Sequence, residues 1–420
     1  MNIDYERREI ARGVYLNIIK DKRFNSNFAS VLFITPFSKE EASARAFVPG
    51  ILSVSNANYP TRAELNRKLL SLYNASLNTS SVVSGNNYIT GYYASCINDK
   101  NAFDGENVTE ETVRLMVDCI LNPKVVDGVF DPKEFAILKQ ELIDTIDTEI
   151  NNKRGYALTL ANEIIFRDEP VSVRYYGTKA MAQALTNERA YEIYLDTLHN
   201  ADIEITIAGD GIEASAKFLE ETFSELERPE GNNIIFYDKS PLKAEVETVD
   251  VKGDVQQTRL VMAYKGDSKN VYVDKLMTAM FGGVATSKLF MNVREKLQLC
   301  YSCNANYKEY KNTLIVESGI DAMNLDVAIK EIDIQLKAIA QGDFTDEELY
   351  NTKLMISGAF KSNYDSLFAL GMWYDVQHRR GTCYTPDEVI EIFHSITREQ
   401  IMECAGTYKL DTVFTLSPEV

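Results

Sequence analysis

Residues 73–99 read YNASLNTSSVVSGNNYITGYYASCIND, and this stretch decides the fold. It is dense in β-branched, aromatic and Ser/Thr side chains, which suit a pleated, half-buried surface. Gly85-Asn86-Asn87 breaks it with a turn signal, so it predicts two strands joined by a tight turn. Upstream, Thr61 and Glu64 have capping-box spacing, and Leu65, Leu69, Leu72 and Tyr73 follow on one helical face. Downstream, a helix begins near Thr109 with Val113, Met116, Val117 and Ile120 on one face. It stops at Asn122-Pro123, because proline crowds the residue before it out of the helical region.

The same order returns further along. KLFMNVREKLQL (288–299) reads as helical and leads into CYSCNANYKEYKNTLIVESGID (300–321). That again predicts two strands, with Lys311-Asn312 near the turn. A helix from about Leu325 to Ile339 follows and ends near Gly342. An offset of roughly 225 residues, about half the chain, points to internal duplication of a large unit. The expected fold is α+β: two homologous domains, each a mainly antiparallel sheet with helices packed on one face. Pro229, Pro241 and a Gly-Asn-Asn turn signal mark the region 226–244 as the linker. The expected domains are therefore 1–228 and 229–420. Two more helix starts are legible, Asp131-Pro132 with Glu134, and Thr345 with Glu348.

The 420 residues are 45% hydrophobic and 25% charged, an ordinary globular balance that excludes a disordered or fibrous protein. Lys plus Arg is 44 and Asp plus Glu is 62, a net charge of −18 that repels a phosphate backbone. Nucleic acid is not an expected partner. No stretch approaches the ~20 apolar residues of a membrane span. The opening MNIDYERREIARG has no apolar region of the kind a secretory signal carries. Six cysteines are too few for a disulfide scaffold and read as reduced thiols in a cytoplasmic protein.

Several kinds of chemistry have no local basis. The three histidines, His199, His378 and His394, include no pair at i, i+4, so no helical zinc site can form from neighbours in sequence. Cys300-x-x-Cys303 lacks the second pair of a four-thiolate site. Period-2 alternation would send the two thiols to opposite faces of the strand, which makes them incidental. Gly282-Gly283 belongs to no phosphate loop and reads as a helix C-cap with chain reversal. The acidic run Asp346 to Glu348 reads as a solvated first helical turn.

FGGVATSKLFMNVREKLQLCYSCNANY (281–307) carries a resemblance. Gly282, Gly283, Ser287, Leu289, Phe290, Val293, Arg294, Glu295, Lys296, Leu299, Tyr301 and Ser302 are similar to a pattern in the inverted-zinc-motif peptidases. This is the family of pitrilysin, insulin-degrading enzyme and mitochondrial processing peptidase. Gln298 stands where the family usually has glycine. In the family the Arg and Tyr of this segment face the zinc across a closed chamber, so the resemblance implies that role for Arg294 and Tyr301. A guanidinium is a permanent planar donor for a carbonyl or carboxylate, and a tyrosine hydroxyl can stabilise a developing oxyanion.

The first half departs from the active pattern. By position, Val48 and Leu52 occupy the places of the two zinc-binding histidines, and Ile51 that of the general-base glutamate. Glu141 or Glu134 is nearest to the third ligand, but a lone carboxylate does not hold zinc against water. The chain is most similar to the non-catalytic YmfF-like subunits of Gram-positive bacteria, whose companions retain the motif. The resemblance implies no cofactor and no activity in this chain alone, and zinc in a paralogous partner. Arg294 and Tyr301 would bind and polarise peptide substrates in trans. The alternative is a non-enzymatic peptide-binding or scaffold homodimer of the same fold.

Overall fold

The computed structural model describes residues 3–228 and 234–419. The Gly231-Asn232-Asn233 turn signal lies outside them. Within the described residues the chain forms two compact units. One comprises residues up to 147, 173–236 and 364–383; the other comprises 148–172, 237–363 and the residues from 384 onward.

The first unit holds a six-stranded sheet. Its strands are β1 (Asp4–Ala11), β2 (Val14–Lys20), β3 (Ser26–Pro36), β4 (Ser76–Ser84), β5 (Asn87–Ile97) and β6 (Asp202–Gly209), in spatial order β1-β2-β6-β3-β5-β4. Every pair is antiparallel except β2 with β6. The expected hairpin is β4–β5, and Gly85 turns it at φ 61°, where glycine meets no Cβ penalty. The second unit repeats the plan with β7 (Glu247–Gly253), β8 (Thr258–Lys265), β9 (Cys300–Lys308), β10 (Thr313–Ile320) and β11 (Lys409–Pro418). Its order, β9-β10-β8-β11-β7, is the first sheet's order without the β1 edge, and again one pair, β7 with β11, is parallel. Equivalent strands take equivalent places, as a duplicated unit requires.

The helix signals act as expected. Thr61 Oγ1 accepts from Glu64 N at 3.2 Å and opens α2 (Arg62–Ser71), which follows α1 (Ala42–Leu52). Next come α3 (Val108–Leu121) and α4 (Pro132–Thr148), the latter capped by Asp131 Oδ1 accepting from Lys133 N at 2.8 Å. In the second unit α9 (Leu325–Ala340) precedes α10 (Asp346–Lys361), which starts with the Thr345/Glu348 capping box.

Alternation along the strands decides which faces are buried. Leu16, Val31, Phe33, Ile203 and Ile205 of the first sheet pack against Phe47, Ile51 and Leu52 of α1 and Val113 and Met116 of α3. The opposite face carries one more helix, α11 (Leu367–Arg379), whose Met372 packs near Leu32, Ile34 and Ile89. Gly371 lets the helix sit close, because a Cβ there would lie 3.1 Å from the Phe28 side chain and 3.3 Å from that of Thr206. The second sheet has a counterpart in α5 (Lys153–Ile165). Its Ala157, Ala161 and Ile165, one turn apart in succession, lie on Val261, Ala263, Ile315, Phe414 and Leu416. Thus each sheet takes one helix from the other half of the sequence.

A polar network lies beside α11. The Tyr5 ring stacks on Tyr374 at 3.8 Å, and its hydroxyl donates to Asn17 Oδ1 at 2.6 Å and shares a hydrogen bond with His378 Nε2. Burial, with the Arg7 charge, pushes the His378 imidazole down from 6.5 to about 4. The folded state therefore binds fewer protons here than the unfolded chain between these values. Stability is complete above pH ~6.5 and declines as pH falls toward 4. His378→Gln should flatten this part of the pH dependence, measured as the difference in urea midpoint between the two proteins from pH 7 to pH 4. Equal slopes for both would refute the role of this histidine.

Candidate functional site

The segment 281–307 separates into buried and open residues. Phe281, Leu289 and Val293 are fully buried and hold the wide helical turns of 279–283 and 289–296 in the core. Gly282 packs directly on β9, where a Cβ would lie 2.7 Å from the Ala305 Cβ and 2.8 Å from the Ala305 nitrogen. Gly282 and Gly283 end the helical turn without the left-handed cap expected of them, Val284 following in extended conformation, and the close approach is why residue 282 is glycine.

Arg294 and Tyr301 line one open cavity of about 410 Å³, together with Gln257, Gln298, Cys300 and Asp321. Arg294 is held lightly. Its Nε lies 3.5 Å from Glu295 Oε1, its guanidinium carbon lies 4.5 Å from the Phe290 ring centre, and its side chain is 40% exposed. Tyr301 is 80% exposed, so it is not a packing residue of its strand.

The cause is a β-bulge. Cys300 pairs with Ile320 and Ser302 with Gly319, leaving Tyr301 as the extra residue. A bulge re-aims side chains locally, and this one turns Tyr301 outward at the open edge of the sheet. Just before it, Gln298 adopts φ +54°, the left-handed region where non-glycine residues are strained by roughly 1–2 kcal/mol. This explains the family glycine at that position. Gln298→Gly should raise stability by up to about 1 kcal/mol, and Gln298→Val should lower it by about 1–2 kcal/mol, read by urea denaturation. Equal stabilities for both would refute the strain.

The bulge also corrects the reading of the cysteines. Alternation alone would oppose Cys300 and Cys303, but the extra residue restores both to one side. Cys303 and Cys300 thus face the same side of β9, where each influences the other's thiol. The Cys303 side chain, Ser318 and the Arg294 charge lower the Cys300 thiol to about 7 against its burial, while Cys300 and burial hold the Cys303 thiol well above its ordinary value. The departure of Gln298 from the family glycine was the one sequence signal of unusual backbone here.

The motif helix has a different fate. Val48, Ile51 and Leu52 on α1 are all at most 4% exposed and belong to the first unit's core. Hydrocarbon side chains cannot ligate zinc or activate water, so these residues do not fit that metal. Glu134 accepts from Ser55 Oγ at 2.5 Å and lies 3.8 Å from Lys124; Glu141 lies 3.9 Å from Arg62. Among the described residues no three His, Cys, Asp or Glu side chains cluster closely enough to hold a metal ion.

Such a scaffold, two duplicated sheets with an apolar α1 and an Arg/Tyr pair on a bulged edge, is that of an M16-like two-domain protein. The family model described as "Peptidase M16 inactive domain" matches residues 184–356. The chain is 23% identical over 411 residues to "Probable inactive metalloprotease YmfF" of Bacillus subtilis strain 168, covering 96% of each. An uncharacterized zinc protease of Rickettsia felis is 23% identical over 334 residues, covering 73% of this chain and 76% of that one. The crystal structure of a conserved protein from Enterococcus faecalis V583 superposes with a TM-score of 0.90 at 25% identity, covering 99% of both chains. The chain is thus similar to members of the M16 peptidase family in sequence and in fold.

Proposed function

We propose that this chain is the zinc-free subunit of a two-chain cytoplasmic metallopeptidase. A single contrast carries the reading. Arg294 and Tyr301 stand open at a cavity on a sheet edge, whereas Val48, Ile51 and Leu52 are sealed in a core. The chain thus keeps groups suited to binding and polarising a peptide, and has none at those positions to activate water. A paralogous partner supplies the zinc and the general-base glutamate. The free edge of β9 offers unpaired backbone groups to an extended peptide, with Arg294 and Tyr301 beside it. Arg294 would hold a carbonyl or carboxylate, and the Tyr301 hydroxyl would meet the oxygen that gains charge when the amide is attacked.

Affinity capture of the chain from its native cell extract tests this. The expected companion is a stoichiometric protein of similar size carrying H-x-x-E-H, and the pair should cleave peptides in a chelator-sensitive way. No helix among the described residues is long and apolar enough to cross a membrane, so extraction needs no detergent on that account. Recovery of the chain only with itself would overturn the two-chain reading and favour a peptide-binding homodimer.

A further inference from the structure

The bulge in β9 brings two thiols together beside the proposed peptide site. Cys300 is half-exposed at the cavity, and Cys303 is 3% exposed beneath it. The burial sequence along the bulge shows the shared orientation: Tyr301 and Ser302 face outward, Cys300 and Cys303 inward. Around the pair stand Arg294 and Glu295 on the preceding helical turn, Glu317 and Ser318 on β10, and Asp321 just beyond it. One sulfur is reachable from the cavity and the other is buried on the same side of the strand. This is the asymmetry that nucleophile and resolving thiols need.

We propose that Cys300 and Cys303 are a dithiol–disulfide pair, in which Cys300 reacts with a peroxide, Cys303 resolves the product, and closure of the disulfide displaces Tyr301. In the first step the Cys300 thiolate attacks one peroxide oxygen. An S–O bond forms, the O–O bond breaks, and the leaving oxygen takes up a proton as water or an alcohol. In the second, the Cys303 sulfur attacks the Cys300 sulfenic acid. The S–S bond forms, the S–O bond breaks, and the hydroxyl leaves as water with the Cys303 proton. Two thiols lose two electrons and the peroxide gains them. The thiolate needed at the start is favoured at Cys300 by the neighbouring Cys303 side chain, Ser318 and the Arg294 charge.

Geometry links this chemistry to the site. Across the bulge Cys300 and Cys303 face Ile320 and Ser318, two residues apart on β10, so their Cα atoms stand roughly 7 Å apart, whereas a disulfide needs about 4.4–6.8 Å. Closure must therefore tighten the bulge, and Tyr301 is the residue that forms it. The sulfur chemistry stands independently of what Arg294 and Tyr301 bind; its effect on peptide turnover rests on the function proposed above.

The test uses the full reduced chain. Iodoacetamide labelling, followed site by site by mass spectrometry across pH 5–9, should give a Cys300 midpoint near 7. A single-cysteine model peptide labelled in parallel is the control, with the ordinary thiol midpoint of ~8.5. Hydrogen peroxide should remove the mass of two hydrogens from the peptide holding both cysteines, reversibly with dithiothreitol. Cys303→Ala should stop at a dimedone-reactive sulfenic acid on Cys300, and Cys300→Ser should leave Cys303 unmodified. Amide hydrogen exchange at residues 298–303 should change on oxidation in the native chain but not in Cys300→Ser. In the reconstituted pair, oxidation should lower turnover by about 10²-fold, reversibly and only with Cys300 present. Labelling of Cys300 at no lower pH than the model peptide, or no disulfide with peroxide, overturns the pair. A disulfide that leaves exchange at 298–303 unchanged overturns the link to Tyr301. Exchange changes without a working two-chain peptidase would fault the proposed function and leave the thiol switch standing.

Discussion

Tyr301→Phe lowers turnover of the reconstituted peptidase pair by about 10²–10³-fold, with little change in the half-saturating peptide concentration. The hydroxyl is asked to act on an oxygen that becomes negative only as the amide is attacked. Its loss therefore falls on the transition state more than on the bound substrate. The variant is a clean one, because Tyr301 is 80% exposed and is the unpaired residue of a bulge. Neither packing nor strand pairing depends on its oxygen. Arg294→Lys should instead raise the half-saturating concentration, since an ammonium cannot make the paired contacts of a planar guanidinium. Steady-state kinetics on the assembled pair separates the two effects. Full turnover with Tyr301→Phe would rule out the oxyanion role and leave at most a binding role for this edge.

Asp411→Asn destabilises the chain by about 3 kcal/mol, the second large effect. Asp411 and Lys265 are 0% and 3% exposed at the side chain, with Lys265 Nζ 3.6 Å from Asp411 Oδ1. Lys265 Nζ also donates to Ile165 O at 3.0 Å and Pro241 O at 2.8 Å. It thus ties the C-terminal end of α5 and the segment leading to β7 onto the second sheet, where a cation suits the helix's free carbonyls. Burial already works against the Lys265 charge and lowers its proton affinity. With the carboxylate neutralised, the ammonium keeps its two carbonyl partners and the charge of Glu169 but loses its largest opposite charge. The double variant Asp411→Asn, Lys265→Met should recover much of the loss, because no buried charge is left unpaired. Urea denaturation of the three proteins decides this, and a double variant no more stable than Asp411→Asn would contradict it.

Local chemistry made much of the fold readable. The β4–β5 and β9–β10 hairpins, the capped starts of α2, α4 and α10, and the end of α3 before Pro123 each depend on a few neighbouring residues. The equivalence of the two halves was visible as a repeated order of elements. The paired positions of β2, β3 and β6 with β7, β8 and β11 were not, because strands far apart in sequence meet only through tertiary pairing. The placement of α5 and α11 was also hidden. Both have ordinary apolar faces, and such a face says that a helix packs without saying on which sheet.

At the site, residue identities sufficed to single out Arg294 and Tyr301 and to note the apolar Val48, Ile51 and Leu52. Period-2 reasoning then misplaced Cys300 and Cys303, because it assumes an unbroken ladder. One extra residue reverses the alternation beyond it, and a bulge is a property of two strands in register rather than of one. By itself the sequence determined the local elements, the duplication and the side-chain chemistry that was available. Only the tertiary structure decided which helix covers which sheet, that Tyr301 faces solvent, and that two thiols share a side. Those outcomes depend on register and burial between distant segments, which no local run of residues encodes.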